Sequence, residues 1–257
     1  MASAFSMNSF LGQRILALVR DGDYAHAGEE EAIELAMADV AKDAGRLILD
    51  AGCGRGGTAE YLRRHGWGRV TGFDIQAESI AAARQRYPEC RFLVCDVADA
   101  DRAVDEAPDV ICLFNAYYCF PDQAGALRAL ARAARAARAA RPGTRLILFD
   151  HVDRGGYQDS PLLDAGEPFL RNPPLLAAMP ERLAAAGWRT AGTRELHDRY
   201  IGWYRTLVGK IERSRGRIIE IAGPEGYGHV LALYQGLVDA AVAGRLGAAI
   251  VTAERVG

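Results

Sequence analysis

Asp50 and the glycines that follow it are the residues of this chain whose types and spacing best suit ligand chemistry. The run Leu47-Ile48-Leu49-Asp50-Ala51-Gly52-Cys53-Gly54-Arg55-Gly56-Gly57 carries an apolar strand straight into a glycine turn that opens a helix. Glycines at such a turn let the backbone approach a ligand closely. Gly52, Gly54 and Gly57 also satisfy the pattern GxGxxG, so a nicotinamide or flavin dinucleotide is one candidate occupant. Asp50 separates the candidates by charge. Just ahead of the first glycine, its carboxylate would face a pyrophosphate at close range and repel it. The same carboxylate suits a ligand end that carries an ammonium, such as the methionine α-amino group of S-adenosylmethionine, which also bears a positive sulfonium and no phosphate.

Three further groups follow in order. Gly72-Phe73-Asp74-Ile75 ends the next strand, about twenty residues on, where an acidic side chain can accept from both ribose hydroxyls. Val94-Cys95-Asp96-Val97 ends another, so that Asp96 can accept from an adenine amino group while the Val97 N–H meets a ring nitrogen. Ile75 and Val97 would sandwich the purine. Leu113-Phe114-Asn115-Ala116-Tyr117-Tyr118 closes the following strand and brings polar groups near the transferred methyl, with Asn115 the expected cofactor contact. All of these lie at carboxyl ends of strands, where doubly wound sheets bind ligands.

The elements that must position these residues alternate strand and helix, the signature of a parallel sheet in an α/β fold. Strands are expected at Arg46–Ala51, Arg69–Asp74, Cys90–Cys95, Asp109–Phe114 and Thr144–Asp150, with helices at Thr58–His65, Ala77–Tyr87 and Asp122–Ala139. Beyond Asp150 a polar, Gly- and Pro-rich stretch makes residues 151–174 a lid candidate. Leu175–Ala186 resumes a helix, and strand-like runs follow at Trp188–Leu196 and Ala248–Val256. Between them Trp203–Arg213 and His229–Val242 read as helices, a cap insertion over 200–244. At the other end Phe10, Leu11, Ile15, Leu16 and Val19 recur at helical spacing within Asn8–Arg20, so residues 1–45 form an N-terminal helical cover over a core of 46–257. In Leu130–Arg141 the arginines 132, 135, 138 and 141 drift around the helix, which suits a solvated outer face.

With these motifs in order and spacing, the chain from Leu47 onward resembles the class I S-adenosylmethionine-dependent methyltransferases. The resemblance implies a Rossmann-like, doubly wound, seven-stranded sheet whose last strand, Ala248–Val256, runs antiparallel. It assigns Asp50, Gly52 and Gly54 to the methionine moiety, Asp74 to the ribose, and Asp96 with Val97 to the adenine. Within the superfamily, the architecture is similar to small-amine N-methyltransferases of the phosphoethanolamine or glycine, sarcosine and dimethylglycine type. That similarity puts Tyr24, just ahead of the core, over the bound cofactor, and makes 200–244 the cap. It is incomplete, because the phosphoethanolamine enzymes carry a catalytic histidine after the fourth strand where this chain has Cys119.

For methyl transfer to an amine nitrogen or a hydroxyl oxygen, the acceptor must lose or lack a proton, so a nearby base contributes. His151 follows the fifth strand and is the expected base or substrate contact, with Tyr24 a second catalytic candidate. His197 and His229 are weaker candidates, and His26 and His65 are expected at the surface. Tyr117, Tyr118, Tyr200, Trp203 and Tyr204 are candidate acceptor walls, with Tyr118, Tyr200 and Trp203 the expected ones, since aromatic faces hold a developing ammonium. Arg171, Arg199 and Arg205 are further cations that could read a carboxylate or phosphate. The same motifs leave open a cofactor-retaining cyclase or isomerase, and the glycine spacing alone leaves a dinucleotide-dependent oxidoreductase.

Composition narrows the class. A formal net charge of −2 in 257 residues gives little attraction to nucleic acid or anionic membrane, and favours a small-molecule partner. No apolar run approaches the ~18 residues of a membrane span, and the N-terminus lacks a secretory pattern, so a cytoplasmic location is expected. The five cysteines form no CxxC pair, and read as reduced, mostly buried thiols with no metal site. The pattern leaves oligomeric state open.

Overall fold

The computed structural model describes residues 5–134 and 143–256. Seven strands form one sheet: β1 (Leu47–Ala51), β2 (Arg69–Asp74), β3 (Arg91–Val94), β4 (Val110–Phe114), β5 (Arg145–Asp153), β8 (Trp188–Glu195) and β9 (Leu246–Arg255). A two-residue hairpin, β6 (Leu163–Asp164) with β7 (Glu167–Pro168), stands apart in the loop after β5. The sheet order is β3-β2-β1-β4-β5-β9-β8. Strands β1 to β5 pair in parallel, and β9 lies antiparallel between β5 and β8. The expected antiparallel last strand is therefore present, two residues longer at its start than the sequence indicated.

Helices cover both faces because the strand residues alternate between two apolar clusters. Ile48, Val110, Cys112, Phe114, Ile147, Phe149 and Ile250 face one cluster, shared with α1 (Phe10–Arg20), α2 (Glu29–Ala36), α3 (Gly57–Arg64), α4 (Ala77–Arg86), α7 (His197–Arg213) and α8 (Arg215–Val242). Leu49, Ile111, Leu113, Leu146, Leu148 and Val251 face the other, under α5 (Gln123–Ala133) and α6 (Met179–Ala185). The expected helix Asp122–Ala139 is seen as α5 within the described residues. Its remainder lies outside them, as do Arg135, Arg138 and Arg141.

Three boundaries differ from expectation. β5 continues through His151 and Val152 to Asp153, because its pairing with β9 runs as far as Asp153 and Leu246. The irregular stretch therefore begins after Asp153 rather than at 151. The helices between β8 and β9 fill nearly the whole insertion, since α7 starts at His197 and α8 at Arg215. The first half of α8 escaped sequence reading because Gly223 (φ 73°) and Pro224 interrupt its helical pattern. Finally, Leu175–Ala186 divides into a short 3-10 turn, Leu176–Ala178, and α6.

Candidate functional site

A cavity of about 360 Å³ lies over the carboxyl ends of β1, β2, β3, β4 and β5. At the β1 end, the N–H groups of Gly52 and Cys53 both donate to the Phe73 carbonyl, at 2.9 and 3.0 Å. The turn after β1 is thus clamped against the end of β2. Gly54, at φ +52°, donates its N–H to Asp74 Oδ2 at 2.9 Å, and a Cβ at this position would meet nothing closer than 3.9 Å. The turn consequently presents bare backbone to open space. Gly57 serves a different purpose: a Cβ there would meet the Asp23 backbone at 2.6 Å, so the third glycine of the apparent dinucleotide pattern admits this chain's own N-terminal segment.

Asp50 lies beneath this turn, 1% exposed, with its Oδ2 unpartnered among the described residues. Burial, followed by the charge of Asp74, pushes its carboxyl up to about 7. Asp74 accepts from Gly54 with one oxygen and from the Gln76 N–H with the other, at 2.9 Å each. Each oxygen retains a lone pair for a further donor. Ile75, an apolar side chain on the cavity lining, is 67% exposed. Asp96 caps the following turn by accepting from the Ala98 N–H at 2.9 Å through Oδ1, and Val97 lines the cavity next to it. Bare glycine backbone, paired diol acceptors, an exposed Ile75 and the orphaned Asp50 oxygen fit the methionine, ribose and adenine parts of S-adenosylmethionine.

The other end is built around His151. Strand alternation sets its ring on the side of Ile147 and Phe149, towards α7. Asn115, held at φ +50° at the end of β4, donates its Nδ2 to His151 Nε2 at 3.1 Å. That leaves the ring proton on Nδ1, which donates to the Tyr200 hydroxyl at 2.8 Å. A left-handed asparagine is a conformation that occurs at functional sites. Burial, and next the positive charge of Arg20, lower His151 to about 3, so it is a neutral imidazole. Asp150, fully buried, accepts from the backbone N–H groups of Tyr117, Tyr118 and His151, and so orients the turn carrying Tyr118. Tyr118 lines the cavity and its hydroxyl donates to Asn8 Oδ1 at 3.3 Å.

The structure gathers Gly52, Gly54, Asp74, Ile75, Asp96, Val97, Asn115, Tyr118 and His151 on one wall, with Asp50 just beneath. Tyr200 stands behind His151 rather than in the cavity. Tyr24 and Trp203 are held elsewhere: the Tyr24 hydroxyl donates to Glu30 at 3.2 Å, and Trp203 Nε1 donates to Glu31 at 2.7 Å while its ring packs on Gly28. His26, expected at the surface, is 1% exposed, because its ring bonds Thr58 and Ala27 and packs on Phe114. His65 is exposed, and His229 pairs with Asp164 at 2.8 Å. His197 begins α7, outside the cavity. Of the three weighed arginines only Arg171 reaches the cavity; Arg199 pairs with Glu31, and Arg205 is exposed. Cys119 also lines it, with burial pushing its thiol up to about 12, so it carries no thiolate at neutral pH.

Sequence reading passed over Arg20, Gln13 and Asn8. Gln13 Nε2 donates to Gln76 at 3.0 Å, and Gln76 donates to the Asn8 carbonyl at 2.7 Å, stitching α1 to the turn after Asp74. The signal for Arg20 was present in its spacing four residues after Leu16, on the apolar face of α1. Among the described residues no cluster of three His, Cys, Asp or Glu side chains could hold a metal ion, and no helix is long and apolar enough to cross a membrane.

Residues 48–139 match the family described as "Methyltransferase domain". A trans-aconitate 2-methyltransferase from Delftia acidovorans is 38% identical over 90 residues, 34% of this chain and 33% of that protein. The match thus spans about a third of the length of this curated relative. Among solved structures, phosphoethanolamine N-methyltransferase 2 of Haemonchus contortus superposes with a TM-score of 0.80 at 13% identity, over 96% of this chain and 57% of that one. The cyclopropane synthase MmaA2 of Mycobacterium tuberculosis gives 0.77 at 18% identity, over 98% and 96%.

Proposed function

We propose that this chain, whose core is a class I S-adenosylmethionine-dependent methyltransferase domain, moves the sulfonium methyl of S-adenosylmethionine to a nitrogen or oxygen of a small molecule. The observation that carries this reading is one continuous cavity running from Asp74, Ile75 and Asp96 past Gly54 to His151 and Tyr118. Asp50 and the turn of Gly52 and Gly54 receive the methionine end, Asp74 the ribose diol, and Ile75, Asp96 and Val97 the adenine. Asn115 stands between the two ends.

When bound, S-adenosylmethionine supplies an electrophilic methyl on a sulfonium. Asp50, Gly52, Gly54 and Asp74 would hold it so as to present that methyl to an acceptor lone pair, the carbon–sulfur electron pair leaving on sulfur. Alignment of the reacting atoms contributes up to about 7–11 kcal/mol. Tyr118 walls the acceptor. His151, unprotonated at neutral pH, accepts a hydrogen bond from the acceptor at Nε2 in exchange for the Asn115 amide and so orients its lone pair, Tyr200 fixes the ring, and the proton released on transfer passes to solvent. In this reading α1 and α2 are the cover, residues 154–174 the lid, and α7 with α8 the cap. Tyr24 and Trp203 act on the cover and cap rather than on the reacting atoms.

Calorimetry with S-adenosylhomocysteine, followed by methyl-labelled cofactor against a panel of amine and hydroxyl metabolites, tests the proposal. Binding followed by label transfer is expected; no cofactor affinity would sink it. Asp74→Ala should raise the Kd for S-adenosylhomocysteine at least about tenfold, the effect of losing one charge-assisted hydrogen bond. Its circular dichroism should match the parent.

A further inference from the structure

Arg20 ends α1 inside the protein, 4% exposed, on the cavity wall. Among the described residues its Nε and Nη1 have no hydrogen-bond partner and it forms no ion pair, its side-chain hydrogen-bond contact being with the neutral Tyr204. The groups that feel its charge are His26, His151, Tyr204 and Tyr234, and all are neutral. Tyr204 and Tyr234 line the same part of the cavity. Asp150 and Asp164 are buried carboxylates whose charge reaches the same tyrosines, Tyr204 and Tyr234 respectively, and both are engaged. Asp150 accepts from the backbone of Tyr117, Tyr118 and His151. Asp164 accepts from Ser6, Met7 and His229.

A guanidinium taken out of water without a counter-charge destabilises a protein, and a leucine or methionine at this position of an apolar helix face would pack at no such cost. A built, uncompensated cation beside a ligand cavity therefore points to a negative charge that arrives with the ligand. We propose that Arg20 is the anion subsite of the acceptor pocket, so that the acceptor carries a carboxylate or a phosphate. This rests on the methyltransferase reading above, and narrows it to anionic small molecules.

The acceptor is favoured over the methionine carboxylate as the source of that charge by the company Arg20 keeps. Its neighbours are His151 and the tyrosines of α7 and α8, whereas Asp50 on the cofactor side is perturbed by burial and by Asp74. Arg171, the other arginine on the wall, is exposed and keeps its hydration. A planar guanidinium suits both anions, since its N–H groups match carboxylate and phosphate oxygens.

The test titrates protein saturated with S-adenosylhomocysteine with malonate and with inorganic phosphate, at constant ionic strength, using malonamide as the neutral control. The parent should bind at least one anion at least about tenfold more tightly than malonamide. Arg20→Gln should lose that preference, Arg20→Lys should keep part of it, and Arg171→Gln should retain it. Affinity for S-adenosylhomocysteine should change less than about threefold in Arg20→Gln. Arg20→Met, which removes an unpaired buried charge, should melt at or above the ligand-free parent. Anion binding absent from the parent or unchanged in Arg20→Gln would overturn the proposal. So would a tenfold loss of S-adenosylhomocysteine affinity in that variant, which would give the guanidinium to the methionine carboxylate, or a clear fall in the melting temperature of Arg20→Met, which would make its role structural. Failure of the parent to bind S-adenosylhomocysteine would retire the methyltransferase reading instead, and the same anion titration on unloaded protein would still decide for Arg20.

Discussion

Two histidines are buried at the site, His151 on the cavity wall and His26 packed on Phe114 and Phe149 outside it, and their protonation links the site to stability. His26 donates from Nδ1 to the Ala27 carbonyl and accepts at Nε2 from the Thr58 hydroxyl, so it is held neutral. Burial first, and then the charge of Arg20, lower it to about 3. In the unfolded chain a histidine takes up its proton near pH 6.5. The stability that follows from holding His26 neutral is therefore fully present above about pH 6.5 and lost as pH falls towards about 3. Within that window each pH unit changes the contribution by about 1.4 kcal/mol. Unfolding free energies of parent and His26→Gln from denaturant titrations should therefore converge as pH falls from 6.5 towards 4, at roughly that slope. A constant gap would mean that His26 titrates as an ordinary histidine. Arg20 belongs to the same scale: spacing puts it on the apolar face of α1, but a helix pattern treats a terminal arginine as a favourable C-terminal charge.

Among the elements, the N-terminal segment, the β6–β7 hairpin and α8 converge on Asp164. That carboxylate is 3% exposed and accepts from Ser6 Oγ and the Met7 N–H at 2.7 Å each, and from His229 Nε2 at 2.8 Å. Met7 and Asn8 line the cavity, so this one side chain ties three separate elements over it. Hydrogen bonds to a charged group contribute about 1.5–3 kcal/mol apiece, and Asp164→Ala would leave the buried Met7 N–H without a partner. The expected result is local opening: amide exchange at residues 7 and 8 should accelerate at least about tenfold while the strands of the sheet keep their protection. Equal protection in parent and variant would show that packing of Met7 alone closes the segment. Helix periodicity revealed α1 and the second half of α8. It was silent on this junction, because the hairpin carries no periodic pattern and Asp164 looks like any loop acid.

On the scale of the molecule, the order β3-β2-β1-β4-β5 reverses direction between β1 and β4, and the cavity opens above that switch point. A ligand there touches the ends of five strands and the inner side of α1, so binding should stabilise the whole fold. S-adenosylhomocysteine at about 100 times its Kd adds about 2.7 kcal/mol, which for a chain of this size raises the Tm by roughly 5–10 °C. An unchanged Tm at saturation would contradict a site shared by so many elements. The strands, their order of use and the acids at their carboxyl ends could be read along the chain, because strand alternation and glycine turns are local properties of neighbouring residues. Asp50, Asp74 and Asp96 were visible for that reason. The burial of Arg20 and His26, the withdrawal of Tyr24 and Trp203 to Glu30 and Glu31, and the backing of His151 by Tyr200 came from packing of α1, α2 and α7 against the sheet. Side chains of those helices meet across sequence separations of up to 181 residues, as Glu29 and Lys210 do, and no periodicity carries the solvation and charge they share once folded.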